Sequence, residues 1–226
     1  MEDHSSIGVV VTTDGTVTVK TRPESVILYS SYKNTQTHAG GGLPPAVKQE
    51  VISMSELMNI IKSRRSTRAF KPELPPVEQI RRIVEAAEWA PSGMGRYNWH
   101  FSVVYNPEKT LKLARAIAEA DNRGPEYNFY GAPVIINISC ERDDRNALLN
   151  GAAAIENLML AATELGLGSC WINQVRDQCD VPAVRALLTE YGTPEDHIVT
   201  CSAAIGYIAK ETQPHERREG VCNIVK

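Results

Sequence analysis

The sequence lacks a long apolar run and a block of like charge. Its longest apolar stretch, around residues 134–140, is far too short to span a bilayer. The formal net charge is only −3, and no segment is strongly basic, which argues against a nucleic-acid partner. The acidic start, Met1 to His4, has no apolar core behind it, so we expect no signal peptide. These absences favour a protein whose partners are neither membranes nor nucleic acids.

Paired cysteines are also absent. The five cysteines are an odd number and form no C-x-x-C motif; they are Cys140, Cys170, Cys179, Cys201 and Cys222. This pattern argues against a disulfide framework and against a zinc ribbon, and it favours reduced thiols in the cytoplasm. Of the five, only Cys170 lies in a stretch that we interpret as functional.

No catalytic triad or metal-binding cluster can be read from the sequence. The five histidines are scattered along the chain, at His4, His38, His100, His197 and His215. None has the spacing of a metal-ligand motif or a convincing Ser-His-Asp set around it. We therefore predict no bound metal and no conventional acid–base pair.

Residues 1–53 are predicted to form a β-rich N-terminal extension and linker. Two β-like runs, at residues 7–13 and 16–20, flank Asp14-Gly15, the dipeptide that favours a type I′ hairpin turn. A third run covers residues 25–29, and a Gly- and Pro-containing linker covers residues 33–46. About fifty residues cannot bury much core unaided. We expect this segment to pack on the main domain or on a partner subunit, while an independent binding module remains an alternative.

Residues 54–226 read as the main domain, in which helices and strands alternate. The predicted helices cover residues 55–62, 77–89, 108–120, 147–165 and 182–188, and the predicted strands cover 101–105, 133–138, 168–175 and 198–207. The order predicts an α/β or α+β domain with helices covering a central sheet. Helix 147–165 is apolar almost all round, so we expect it to be buried, with a subunit interface as one possible setting.

Three short motifs stand out within this domain. Residues 64–68 place three arginines and a serine together, a donor set that suits a phosphate, although such clusters also occur at solvated helix ends. After the helix that Pro91 closes, residues 92–95 are small or flexible and precede an aromatic strand. Such a turn lets backbone N–H groups approach a flat or anionic ligand, or it is a plain loop. The third motif, at residues 168–174, enters a strand through small residues.

The main domain contains, in this order, R-R-S-x-R, A-P-S-G and L-G-L-G-S-x-W-I, followed by I-G-Y and a late arginine. Together these motifs resemble the nitroreductase superfamily of flavin-dependent oxidoreductases. The resemblance covers residues 54–226. It implies an α+β fold, a three-layer α/β/α sandwich, in which two subunits interlock as a homodimer and FMN binds at each end of the interface. The first 53 residues are not part of it.

The resemblance also implies which residues bind FMN and substrate. Arg64, Ser66 and Arg68 would hold the phosphate and ribityl chain, with Arg65 nearby, and Arg217 would reach the same phosphate. The other subunit would approach the flavin with Pro91, Ser92, Gly93, Met94 and Gly95. The ring would lie along Gly168, Ser169, Ile172, Asn173 and Gln174. The aromatic residues that could stack on substrate are Tyr97, Tyr127, Phe129 and Tyr130. The chain departs from the family at Gly95 and Tyr97, where asparagine and glutamine are common, and at His215, where lysine is common.

The implied function is NAD(P)H-dependent reduction of nitroaromatics, quinones or a similar electron-poor small molecule by ping-pong hydride transfer. The flavin would carry the chemistry, so no protein side chain is assigned as catalytic. Two alternatives stay open. The chain could be a specialised member, such as an enone reductase, a dehalogenase or a tailoring dehydrogenase, or a flavin-binding protein without turnover.

Overall fold

The computed structural model describes residues 8–11, 17–20, 56–214 and 216–225, and the chain divides into two units, residues 1–51 and 52–226. In the first unit, β1 (Gly8–Val11) and β2 (Val17–Lys20) pair antiparallel, with Val11 opposite Val17. These are the two strands that the Asp-Gly turn signal predicts. The third predicted strand and the linker lie outside the described residues, as do the start of the predicted first helix and His215.

The second unit contains six helices and a four-stranded antiparallel sheet among its described residues. The helices are α1 (Glu56–Ser63), α2 (Val77–Glu88), α3 (Pro107–Ala120), α4 (Ala147–Glu164), α5 (Asn173–Gln178) and α6 (Pro182–Glu190). The strands are β3 (Trp99–Val104), β4 (Val134–Glu141), β5 (Gly168–Trp171) and β6 (His197–Gly206), in the order β3-β4-β6-β5.

Helices cover both faces of this sheet, because neighbouring residues of the central strands bury their side chains on opposite sides. Ile135 of β4 packs with residues of α3, α5 and α6, whereas Ile136 packs with residues of α2 and α4. Seven of the eight residues of β4 are buried, which explains its continuous apolar sequence. The predicted α+β, three-layer architecture is confirmed.

Helix α4 is buried on one side only. Ile155 and Leu158 are fully buried against the sheet. In the first turn, however, Leu148 and Leu149 are 54% and 71% exposed, because no described element covers that flank. The expectation that the whole helix is buried therefore fails within a single chain. The helix ends as predicted before Gly166, whose φ of +72° lies in the left-handed region that glycine adopts without steric cost.

The predicted strand 168–175 is wrong in its second half. Strand β5 ends at Trp171, opposite Ala203 of β6. The Ile172 N–H still donates to the Ser202 carbonyl at 2.8 Å, and α5 then begins at Asn173. Burial of Val175 in the core stabilises this short helix, so an apolar residue that suits a strand serves a helix here.

Two further findings concern the whole of the described chain. No helix within residues 56–214 is long and apolar enough to cross a membrane. All five cysteines are free thiols; four are buried and Cys222 is exposed.

Candidate functional site

The arginine-containing segment, residues 64–68, lies beside the edge strand β5. The Thr67 N–H donates to the Ser169 carbonyl at 2.9 Å, and Ser66 forms a parallel bridge to Ser169. Further along, the Ala209 N–H donates to the Ala69 carbonyl at 3.0 Å. These backbone bonds fix the segment as an extension of the sheet, since each satisfies a group that would otherwise be unpaired.

Arg64 and Arg68 form an uncompensated pair of positive charges at this edge. Burial raises the pKa of the nearby Cys170 thiol, while Arg68 and Arg64 both act in the opposite direction. Ser66 and Thr67, which lie between them, are bonded to β5 at Ser169. Within residues 56–214 and 216–225, neither arginine has a carboxylate within ion-pair distance. Unpaired arginine forks beside a sheet edge are well suited to bind an anion.

Arg65 has a different environment from its two neighbours. Its Nη1 donates to the carbonyls of Lys62 and Arg64 at 2.6 and 2.8 Å, so the guanidinium satisfies backbone groups at the C-terminal end of α1. It also lines a cleft of about 400 Å³ together with Thr67 and Gly168. Of the three arginines in the motif, Arg65 is therefore the one committed to the helix end.

The stretch from Gly168 to Gln174 presents backbone rather than side chains. A Cβ on Gly168 would lie 2.6 Å from Thr67 Oγ1, so only glycine lets segment 64–68 approach β5 this closely. The side chains of Ser169 and Ile172 are each 1% exposed. Asn173, at the start of α5, is exposed and Gln174 is half-buried. A flat ligand at this edge would therefore meet the main chain and the two polar residues that begin α5.

Two polar atoms at β5 are left without partners. Ser169 Oγ and Trp171 Nε1 are both buried and have no hydrogen-bond partner among the described residues. Buried polar groups of this kind are usually hydrogen-bonded, and an unpaired one costs about 1–3 kcal/mol. Both atoms lie on the strand that the predicted cofactor would approach.

Tyr127 closes one side of this region. Its hydroxyl donates to Gln174 Oε1 at 3.3 Å, and the Arg123 guanidinium lies 5.1 Å from the centre of its ring. Burial raises the pKa of Tyr127 well above its ordinary value, so the phenol stays neutral and remains a donor throughout the physiological pH range.

The four aromatic residues predicted to stack on substrate differ in exposure. Tyr97 and Tyr130 are 59% and 39% exposed, whereas Phe129 is completely buried. Phe129 packs in the core against the edge of the Tyr127 ring, with centroids 5.5 Å apart. The structure therefore assigns Phe129 to core packing, in contrast to the sequence-based expectation. Its φ of +53° and that of Tyr130, +63°, are unusual for residues with side chains.

The small-residue turn, residues 92–97, lies at the opposite end of the sheet. It contains a short 3₁₀ turn, Gly93–Gly95, in which Met94 adopts a φ of +59° and is 83% exposed. The Tyr97 N–H donates to Ser92 Oγ at 3.1 Å, which closes the turn on itself. Pro91, just before it, is exposed. Large side chains held outward in left-handed conformations are uncommon away from functional surfaces.

A buried polar network anchors this turn to the start of α4. The Gly93 N–H donates to Asn150 Oδ1 at 2.8 Å, and Asn150 Nδ2 donates to Asp144 Oδ2 at 3.1 Å. Arg96 binds Glu141 Oε2 at 3.2 Å. The pKa of Asp144 lies below its ordinary value, chiefly because its carboxylate accepts a hydrogen bond from the Asn146 N–H. Sequence reasoning overlooked these residues, although Asp144-x-Asn146 before an alanine-rich helix is a recognisable helix-start pattern.

One chain does not bring the two groups of predicted residues together. Arg96 binds Glu141, the last residue of β4. At the other end of β4, Val134 pairs with Ile205, which in turn pairs with Ser169 beside the arginines. A strand of this length spans roughly 20 Å. The turn therefore lies too far from segment 64–68 to share a ligand with it in the same subunit.

The tail that carries Arg217 touches segment 64–68, because Thr212 Oγ1 donates to the Ser66 carbonyl at 3.1 Å. Arg217 itself is exposed five residues further on, and its side chain has no hydrogen bond or ion pair within the described part of the chain. The same part of the chain holds no group of three or more His, Cys, Asp or Glu residues that could bind a metal ion.

Comparison with known proteins identifies relatives of this chain. A family model described as the Nitroreductase family matches residues 61–207. A crystal structure of a nitroreductase with bound FMN from Bacteroides fragilis is 37% identical, covers 76% of this chain and 99% of its own, and superposes with a TM-score of 0.71. A protein of Methanothermobacter thermautotrophicus, provisionally named NADH dehydrogenase/NAD(P)H nitroreductase, is 30% identical over 168 residues, which are 70% of this chain and 81% of that relative. An iodotyrosine deiodinase of Thermotoga neapolitana is 28% identical over 136 residues, 51% of this chain and 73% of the relative.

Proposed function

Because the chain belongs to the nitroreductase family, we propose that it is an FMN-dependent oxidoreductase that uses NAD(P)H to reduce small electron-poor acceptors such as nitroaromatics or quinones. The family match and the FMN-bound relative confirm the predicted enzyme class and cofactor. The single observation that carries the proposal to this chain is the uncompensated Arg64 and Arg68 pair beside β5.

The residues at this edge fit the phosphate of FMN. A phosphate dianion requires several charge-assisted donors, and Arg64, Ser66 and Arg68 supply them without a competing carboxylate. We assign Arg65 an indirect role, because its guanidinium satisfies the end of α1 and so fixes the direction of the segment. We keep Arg217 as a candidate phosphate ligand, because its tail already contacts this segment through the bond from Thr212 Oγ1 to the Ser66 carbonyl.

The ring of FMN would lie along the main chain from Gly168 to Gln174. Gly168 allows the close approach of backbone that a flat ligand needs, and the unpaired Ser169 hydroxyl and Trp171 indole offer polar atoms at the same strand. When bound, FMN supplies the two-electron chemistry, with NAD(P)H as donor and the substrate as acceptor. The protein residues contribute binding, orientation and exclusion of water.

A second copy of the chain would complete the site. The exposed turn, with Pro91, Ser92, Gly93, Met94 and Gly95, would cover the flavin of its partner in a homodimer. Exposed apolar side chains surround it: Met94 is 83% and Leu149 is 71% exposed. Apolar side chains this exposed are candidates for burial at a subunit interface. In the dimer, Tyr97 from one subunit and Tyr130 and Tyr127 from the other are the aromatic residues available to contact a substrate.

Reductive dehalogenation is a second candidate, favoured by the likeness to the iodotyrosine deiodinase from Thermotoga neapolitana. It uses the same flavin site and differs only in the acceptor. A flavin-binding protein without turnover is the remaining alternative from the sequence.

Anaerobic flavin reduction tests these possibilities. The purified protein, loaded with FMN, is mixed with NADH or NADPH, and bleaching of the flavin absorbance is followed. It is then reoxidised with a nitroaromatic, a quinone and 3-iodo-L-tyrosine in separate reactions. Rapid reoxidation by the first two supports the proposal, and preferential reoxidation by the iodinated amino acid supports dehalogenation. A protein that binds no FMN, or whose bound FMN neither nicotinamide reduces, contradicts both.

A further inference from the structure

The turn at residues 92–97 is held by a side chain that neither the sequence motifs nor the proposed flavin contacts include. Asn150, on α4, is 2% exposed, and both ends of its amide are engaged. Its Oδ1 accepts from the Gly93 N–H at 2.8 Å, and its Nδ2 donates to Asp144 Oδ2 at 3.1 Å. The orientation of this amide is therefore fixed from both sides.

Asp144 in turn is fixed by its own partners. It is 5% exposed, its Oδ1 accepts from the Asn146 N–H at 2.9 Å, and Arg96 Nη1 lies 3.9 Å away. The carboxylate is thus bound to α4 on one side and to the turn on the other. A buried network in which each member is satisfied specifies one arrangement of the backbone that it holds.

The backbone of the turn is in a conformation that needs such support. Met94 and Tyr97 have φ values of +59° and +48°, each of which costs of order 1 kcal/mol for a residue with a side chain. A Cβ on Gly93 would lie 2.5 Å from Asn146 Nδ2, so the turn packs tightly on the start of α4. Without the hydrogen bond to Asn150, we expect the turn to relax to ordinary backbone angles.

We propose that Asn150, supported by Asp144, is a positioning residue that fixes the turn at residues 92–97 for the flavin site of a second copy of the chain. The inference rests on the proposed function, since it requires FMN to bind between two subunits. Asn150 acts at a distance: it touches the turn of its own subunit, about 20 Å from its own arginine pair, and affects the flavin of the partner.

The test uses Asn150→Leu, which keeps the branched arrangement of side-chain heavy atoms and removes both hydrogen bonds. Asn157→Leu is the matched control, because Asn157 lies on the same helix and its Nδ2 donates to the Ala86 carbonyl at 3.1 Å, away from the turn. We expect Asn150→Leu to weaken FMN binding about tenfold, the effect of one lost buried hydrogen bond. Asn157→Leu should lower the melting temperature but leave the Kd for FMN unchanged. Equal weakening in both variants would overturn the inference.

Mixed dimers separate an effect on the partner from an effect within the subunit. Subunits carrying Asn150→Leu are co-expressed with subunits carrying Arg64→Ala and Arg68→Ala, using two affinity tags. One of the two sites then combines intact arginines with an intact turn, so half of the sites should bind FMN with wild-type affinity. If no site of wild-type affinity appears, Asn150 does not act on the partner.

Asp144→Asn provides a second variant if Asn150→Leu does not fold. It retains side-chain volume and an acceptor oxygen while removing the charge, and we expect FMN binding to weaken about threefold. An unchanged Kd in either folded variant contradicts the inference. A wild-type protein that fails to bind FMN is a different result, because it refutes the proposed function, and this inference fails with it.

Discussion

The two ends of the sheet use arginine in opposite ways. At the end that carries the turn, Arg96 is bound to Glu141, and Arg142 and Arg185 are both bound to Asp180. At the β5 end, Arg64 and Arg68 have no acidic partner in the described part of the chain. The first group holds elements of the fold together. The second leaves positive charge uncompensated, as a site for an anionic ligand requires.

The contrast predicts the largest effect for loss of the unpaired arginines. We expect Arg64→Ala combined with Arg68→Ala to weaken FMN binding by at least about a hundredfold, because two charge-assisted contacts to the phosphate are lost. Fluorescence titration with FMN measures the Kd. Arg65→Ala is the control: it should lower the free energy of unfolding by about 1 kcal/mol or less through α1 and change flavin affinity far less. Unchanged flavin content in the double variant would refute the phosphate assignment.

A second prediction concerns the contact between segment 64–68 and β5. In Gly168→Ala, the new Cβ would lie 2.6 Å from Thr67 Oγ1 and 2.9 Å from Ile208 Cγ1, so the segment must shift. We expect about tenfold weaker FMN binding and a loss of about 1–3 kcal/mol in the free energy of unfolding. Gly192→Ala is a control that introduces backbone strain at a φ of +94° but meets no atom within 4 Å. It should cost stability alone, and an equal loss of flavin affinity there would contradict the geometric explanation.

A third prediction uses the Tyr127 hydroxyl to separate flavin binding from substrate handling. Tyr127→Phe keeps the ring and removes only the donor to Gln174 Oε1. We expect FMN content to stay the same, while kcat/KM for the acceptor falls about fivefold, the effect of one hydrogen bond of about 1 kcal/mol. Tyr191→Phe is the matched control, because it also removes a tyrosine hydroxyl, but one that has no hydrogen-bond partner among the described residues. A loss of FMN in Tyr127→Phe would assign Tyr127 to the cofactor instead.

The sequence predicts the regular elements well where periodicity is strong. The apolar run of β4 and the spacing of α2 give the correct element types, because each reflects burial on the faces that the fold covers. It fails at residues 172–175, where Val175 reads as part of a strand but is buried as part of α5. There, the change from strand to helix depends on where β5 stops pairing with β6, which is at Trp171.

The candidate site is predicted only in outline, for a related reason. The spacing of R-R-S-x-R locates the cationic segment, yet whether an arginine faces a ligand or a helix end depends on its neighbours in space. Arg65 satisfies two carbonyls at the end of α1, which is one of the two settings that the sequence leaves open. Phe129 is buried in the core, which local sequence does not indicate. Asn150 is overlooked because it acts through the backbone N–H of Gly93, which carries no sequence signal.

The smallest effect is expected from the paired arginines, and it should depend on pH. Arg142 and Arg185 hold the pKa of Asp180 well below its ordinary value. A carboxyl whose pKa is lower in the folded state stabilises the fold above its unfolded pKa of about 4, and this stabilisation is lost as the pH falls toward the folded pKa. Because the Asp180 side chain is 58% exposed, solvent screening limits its contribution at pH 7 to about 1 kcal/mol or less.

Asp180→Asn should therefore lower the melting temperature by a few degrees at pH 7, with the difference from wild type shrinking below about pH 4. Thermal melts followed by circular dichroism between pH 2 and 8 measure it, and a constant offset over that range would contradict the assignment. FMN affinity should not change, because the proposed phosphate ligands are Arg64 and Arg68 and not Arg142 or Arg185. A change of affinity comparable in size to that of the Arg64 and Arg68 variant would mean that the ion pairs of Asp180 also serve the cofactor, and the distinction between the two groups of arginines would fail.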